Sequence, residues 1–202
     1  MIVLLLGEGE YTNGGDKHLV LDKPTKISGQ GRGMTTLVGF GLKIEGNKSD
    51  GIVEINNLKI KGAGKTGLYA DEGMKVIMRG CTVEDCQWSG VCAQGADISC
   101  DDLQVVGCGR SGVCAYDSNA TITLSGQGTS IQGNVTKGAS KSLSSGRDSR
   151  YYGLDIHPNG FGCSSFGTIH LVHPLTKEQI STNNGGGGNW SRNGGNIKQV
   201  SK

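Results

Sequence analysis

Tyr152, Asp155 and His157 bring a phenol, a carboxylate and an imidazole into one short run, Tyr152-Gly153-Leu154-Asp155-Ile156-His157. In an extended strand, alternation puts Leu154 and Ile156 on one face and Asp155 and His157 on the other. A Tyr/His pair beside a neutralised carboxylate can divide the acid and base halves of a proton transfer, which makes the three candidate catalytic residues. A second set is better suited to binding. Tyr69, Asp71, Gln94 and Tyr116 are polar, and the two phenol rings suit stacking on sugar rings. Other chemistries find less support. His170 and His173 lack a third ligand, so no metal site and no cofactor are expected. The Gly185–Gly188 run lacks the Lys-Ser/Thr of a phosphate loop. A Cys114/His157 couple reads better as a small, apolar-like Cys in a Cys-rich stack.

What must position these residues is a repeat. Gly67-Leu68-Tyr69-Ala70, Gly90-Val91-Cys92-Ala93 and Gly112-Val113-Cys114-Ala115 are one phrase written three times, 23 and then 22 residues apart. A unit of that length signals a stack of coils rather than a globular core. Each coil reads as three short strands. Inward positions on the first are Leu42/Ile44, Leu68/Ala70, Val91/Ala93, Val113/Ala115 and Leu154/Ile156. The second strand carries Val53/Ile55, Val76/Met78, Ile98/Cys100, Ile122/Leu124 and Ile169/Leu171, and the third Leu58/Ile60, Cys81/Val83, Leu103/Val105 and Thr129/Ile131. A last third strand at Glu178/Ile180 would put a costly Glu inside. Three residues beyond Val83, Val105, Ile131 and Ile180 lie Cys86, Cys108, Asn134 and Asn183, a turn column of small polar groups able to bond along the stack. The outward column of the first strand is then Lys43/Glu45, Tyr69/Asp71, Cys92/Gln94, Cys114/Tyr116 and Asp155/His157.

The predicted fold is all-β: a right-handed, single-stranded parallel β-helix of about six to seven coils, each of about 22 to 26 residues, with a dry interior. It forms one domain over residues 1–202, with regular coils over 1–183, a polar Ser-rich insertion over 137–150 and a Gly-rich end over 184–202. A ragged final strand is expected near Gly195–Val200. The 36 Gly among 202 residues suit an architecture with a turn every few residues. A net charge of +2 and no basic patch with interleaved aromatics exclude nucleic acid as a partner. Met1–Leu6 is apolar but too short for a membrane span or a signal peptide, so it is expected to be a buried first strand and no membrane association is expected. The seven Cys are odd in number, and Cys92 and Cys114 fall on successive coils with parallel Cβ vectors that suit a bridge poorly. Outward, reduced thiols and a reducing, cytoplasmic compartment follow as expectations.

These residues resemble the right-handed parallel β-helix superfamily, the pectin-lyase-like group, over roughly residues 1–183. Ile2, Leu4, Gly7, Gly9 and Tyr11, followed by Leu19, Leu21, Lys23, Pro24, Ile27, Gly29 and Gly31, look like the usual first coil of that group. The resemblance implies a fold more than an activity, because enzymes and non-catalytic proteins share it. In its polysaccharide-active members, substrate lies in a groove along one outer sheet. The run from Tyr152 to His157 is similar to the Tyr-Gly-x-Asp-Pro-His segment of mannuronan C5-epimerases, whose Tyr, Asp and His act around a uronate ring. Tyr152, Asp155 and His157 match; Ile156 stands where that family has Pro, and no Asp follows Asp155. The group usually has a capping helix before the first coil, and here the sequence starts on that coil. End-to-end self-association through this N-terminal coil, or a segment or partner covering it, is therefore expected. The expected function is a non-catalytic β-helical binding or structural module that presents a polar outer sheet to a protein or polysaccharide. The alternative is a uronate-polysaccharide epimerase or lyase acting through Tyr152, Asp155 and His157.

Overall fold

Short strands of alternating residues, each ended by a tight turn, cannot bury their apolar faces alone, and in this chain they do so by stacking. The computed structural model describes residues 1–13, 17–46, 51–136, 151–157, 167–191 and 196–201. Three parallel sheets of eight, seven and six strands run the length of the described chain, visited in the same order on each coil. The six-stranded sheet consists of His18–Leu21, Gly41–Ile44, Leu68–Ala70, Val91–Gln94, Val113–Tyr116 and Leu154–His157. Its register stacks like on like: Leu68, Val91, Val113 and Leu154 pair in sequence, as do Ala70, Ala93, Ala115 and Ile156. The eight-stranded sheet repeats this with Val53, Val76, Ile98, Ile122 and Ile169. Together these residues form one continuous apolar core, in which each large side chain contributes about 1.5–3 kcal/mol of burial.

The glycine that opens each repeat phrase is required by space. A Cβ on Gly90 would lie 2.3 Å from Val105 Cγ1, and one on Gly112 would lie 2.4 Å from Ile131 Cγ2. Here the turn leaving the seven-stranded sheet presses against an inward side chain of that sheet on the following coil, and only a bare backbone fits.

Four expectations are corrected. Ile2–Leu5 does form a strand, but an exposed one: it lies at an edge of the eight-stranded sheet, paired among the described residues only with Thr25–Ser28, and Leu5 is 76% exposed. Glu178 is not in a strand. Lys177–Ile180 is a single helical turn, because Thr176 and Gln179 cap each other's backbone and so stabilise helix there. The strand that follows is Ser181–Thr182, with Ser181 opposite Ile131, so the turn column passes from Asn134 to Asn184 rather than Asn183. Cys92 and Cys114 lie on the outer face as expected, and they are buried there. Asn196–Val200 is a full strand, in register with Thr168–Val172. The insertion 137–150 and Cys163 lie outside the described residues. Among the described residues no helix is long and apolar enough to cross a membrane.

Candidate binding cleft

The turn entering the six-stranded sheet repeats a second motif. Two residues before Gly67, Gly90, Gly112 and Gly153 stand Lys65, Trp88, Arg110 and Tyr151. Stacking brings these into one column. The Lys65 Nζ is 5.5 Å and the Arg110 guanidinium 4.4 Å from the Trp88 ring centre, and Arg110 is also 5.2 Å from the Tyr151 ring. Lys65 comes from the preceding coil and Arg110 from the following one, so the indole spaces two cations. Among the described residues neither cation has a carboxylate partner. One residue before each of the first three glycines lies a hydroxyl: Thr66, Ser89 and Ser111, all buried.

Between this column and the outer face of the six-stranded sheet lies a cleft of about 370 Å³. His18, Lys43, Lys65, Thr66, Tyr69, Trp88, Ser89, Cys92, Arg110 and Tyr116 line it. The His18 Nε2–H donates to the Thr66 carbonyl at 3.2 Å, since a carbonyl can only accept. Burial, with Lys65 and Lys43 nearby, holds the imidazole below its ordinary value, and the Thr66 bond offsets this only in part. Lys43 is engaged by Glu45 and, at 3.4 Å, by Asp71. The side-chain bond to Glu45 is the main reason its ammonium is held above the usual lysine range.

Of the residues singled out for binding, Tyr69 and Tyr116 line the cleft. Gln94 accepts a hydrogen bond from the Tyr69 hydroxyl, and Asp71 holds Lys43 in place. Burial pushes the Tyr69 phenol well up. The Cys114 thiol beside it, then burial, do the same for Tyr116. Cys92 and Cys114 alternate outward as expected, yet they are 3% and 0% exposed, Cys92 lining the cleft together with Trp88, Arg110 and Tyr116. All six described cysteines are free thiols.

The candidate catalytic set is arranged differently. Asp155 lies opposite Cys114 in the register, fully buried, and accepts a hydrogen bond from Ser111 Oγ. Its outward alternation therefore does not bring it to the surface. The Tyr152 amide donates to the same Ser111 oxygen at 3.5 Å, and the Tyr152 ring packs so close to Gly187 that a Cβ there would lie 2.4 Å from it. His157 ends its strand opposite Tyr116, and its side chain lies outside the described ones. Ser111, Lys65, Trp88 and Arg110 were not among the residues expected to matter. Their signal is legible in the sequence once the column two residues before each repeat glycine is read. Among the described residues no group of three or more His, Cys, Asp and Glu side chains gathers to hold a metal ion.

The family description "right handed beta helix region" matches residues 40–199, and the chain belongs to that family. No curated protein and no solved structure matches the chain.

Proposed function

We propose that this β-helix is a non-catalytic binding module that takes an acidic glycan in the cleft over its six-stranded sheet. The observation that carries the reading is the pair Lys65 and Arg110. They flank Trp88 on the cleft wall, with no carboxylate partner among the described residues. Two uncompensated cations spaced by an indole present positive charge along the coil axis, where a linear anion would run. Tyr69 and Tyr116 offer ring faces, and Thr66 and Ser89 offer hydroxyls, the mixture of apolar wall and few polar groups that a sugar site uses. Against the epimerase or lyase alternative stands Asp155, whose carboxylate is fully buried and bonded to Ser111. A group that must meet a uronate ring has to be reachable by it.

Calorimetric titration with oligouronates, against neutral oligosaccharides of equal length, tests this reading. Binding of the acidic series alone, weakened by added salt, is the expected result. Equal binding of the neutral series would sink the charge argument. Unsaturated product growing in the ultraviolet would instead restore the enzyme reading.

The same cleft predicts a pH response. With its folded value lowered, His18 is neutral at pH 7 and charges only as pH falls below the ordinary 6.5. Below that point the unfolded chain binds the proton more readily, so the stability of the empty protein decreases as pH falls through the lowered value. Charging His18 adds a third cation beside Lys43 and Lys65, so affinity for an anionic glycan rises by up to about fivefold over the same window. His18→Gln should flatten this rise. An unchanged pH profile in that variant would remove His18 from the site.

A further inference from the structure

Beneath the cleft, the outer face of the six-stranded sheet carries two thiols where a surface strand would ordinarily carry polar groups. Cys92 and Cys114 are direct partners in the parallel register, and neither belongs to the interior core cluster. Cys92 lines the cleft, and Cys114 lies behind it, between Cys92 and Asp155. We infer that this pair is a two-coordinate site for a soft monovalent cation such as Cu(I), reached through the cleft.

Spacing separates a metal site from a disulfide here. Neighbouring strands lie about 4.8 Å apart, and side chains at paired parallel positions point the same way, so the Cβ atoms keep roughly that separation while the two thiols come within hydrogen-bond reach. A disulfide needs its Cβ atoms at about 3.8 Å and its sulfurs at about 2.05 Å, which parallel vectors do not supply. A metal ion held between two thiolates spans at most roughly 4.6 Å, taking the zinc–sulfur distance of about 2.3 Å as an upper guide, and two side chains on adjacent strands reach that span without moving the ladder. Thiolates select Cu(I), and a two-sulfur site is too small a donor set for Zn(II), which takes four ligands. Binding converts two thiols and one cation into a linear dithiolate complex and releases two protons. The bound unit then carries one net negative charge, with Arg110 and Lys43 lining the same cleft and the buried Asp155 carboxylate opposite Cys114. Burial and the neighbouring thiol push Cys92 well above the usual thiol range, so the empty site holds its protons until a metal displaces them.

The chain contains its own control. Cys86 and Cys108 also stack on successive coils, but they sit in the interior core cluster, do not line the cleft, and donate to the carbonyls of Glu84 and Val106. That pair has the spacing and no entrance.

The test is anaerobic transfer of Cu(I) from its bathocuproine disulfonate complex to the reduced, full chain. The expected result is one equivalent taken up by the wild type and by Cys86→Ser/Cys108→Ser, lost in Cys92→Ser/Cys114→Ser, and not displaced by excess Zn(II). X-ray absorption of the wild-type complex, which does not depend on any variant folding, should show two sulfur neighbours and no more. Uptake that persists without Cys92 and Cys114, a coordination shell of three or four ligands, or no uptake by the wild type would each overturn the assignment.

Discussion

Asn134→Ala is expected to cost roughly 3–5 kcal/mol and to lower the midpoint of thermal unfolding by about 10 °C. Asn134 is 1% exposed and joins three coils. Its Oδ1 accepts from the Cys108 amide at 3.0 Å, and its Nδ2 donates to the Val105 carbonyl at 3.2 Å and to Asn184 Oδ1 at 2.9 Å. Alanine would leave the Cys108 amide and the Val105 carbonyl buried without these partners, and each such group costs about 1–3 kcal/mol. Asn184 repeats the device one coil on, with Nδ2 donating to the Ile131 and Thr182 carbonyls. The double variant Asn134→Ala/Asn184→Ala should therefore lose less than the sum of the two, because the bond between them is counted in both. Denaturant unfolding of the three variants measures this. A loss below about 1 kcal/mol for Asn134→Ala would show that the column is not a load path between coils.

The second large effect concerns ligand binding. Lys65→Ala/Arg110→Ala is expected to weaken oligouronate binding by about a hundredfold, since each charge-assisted contact is worth roughly 1.5–3 kcal/mol and only part of that is lost at a solvated rim. The residual binding should also lose most of its salt dependence. Trp88→Ala keeps both charges but removes the indole that fixes their spacing, so a loss of about tenfold is expected. Trp88 is 39% exposed, and its removal should leave unfolding almost unchanged. Full affinity in the double variant would place the ligand elsewhere.

The fold was largely legible because its cause is local and repeated. Alternation within strands and recurrence between them named the core residues on all three sheets, and the register of the six-stranded sheet follows from one four-residue phrase. Where the reading slipped, a local interaction outweighed the repeat. The Thr176/Gln179 capping box turned the stretch around Glu178 into helix, which shifted the next strand by one residue and put Asn184 in the turn column. The exposure of Ile2–Leu5 reflects its edge position, which apolar composition does not report. The cleft was half visible: alternation found Tyr69, Asp71, Gln94 and Tyr116, but it could not say that Cys92, Cys114 and Asp155, on the same face, would be buried. Ser111, which bonds Asp155, and Trp88 and Arg110, which line the cleft beside Cys92, are turn residues, and strand periodicity carries no information about a turn column.

The most direct test of the binding cleft is a nitrogen-15 correlated NMR titration of the protein with an oligouronate. The account predicts shifts confined to the Trp88 indole, the amides of Thr66, Ser89 and Arg110, and those of Tyr69 and Tyr116, while the Trp190 indole stays still. Shifts centred on the outer faces of the seven- or eight-stranded sheets, with the Trp88 indole unmoved, would contradict it.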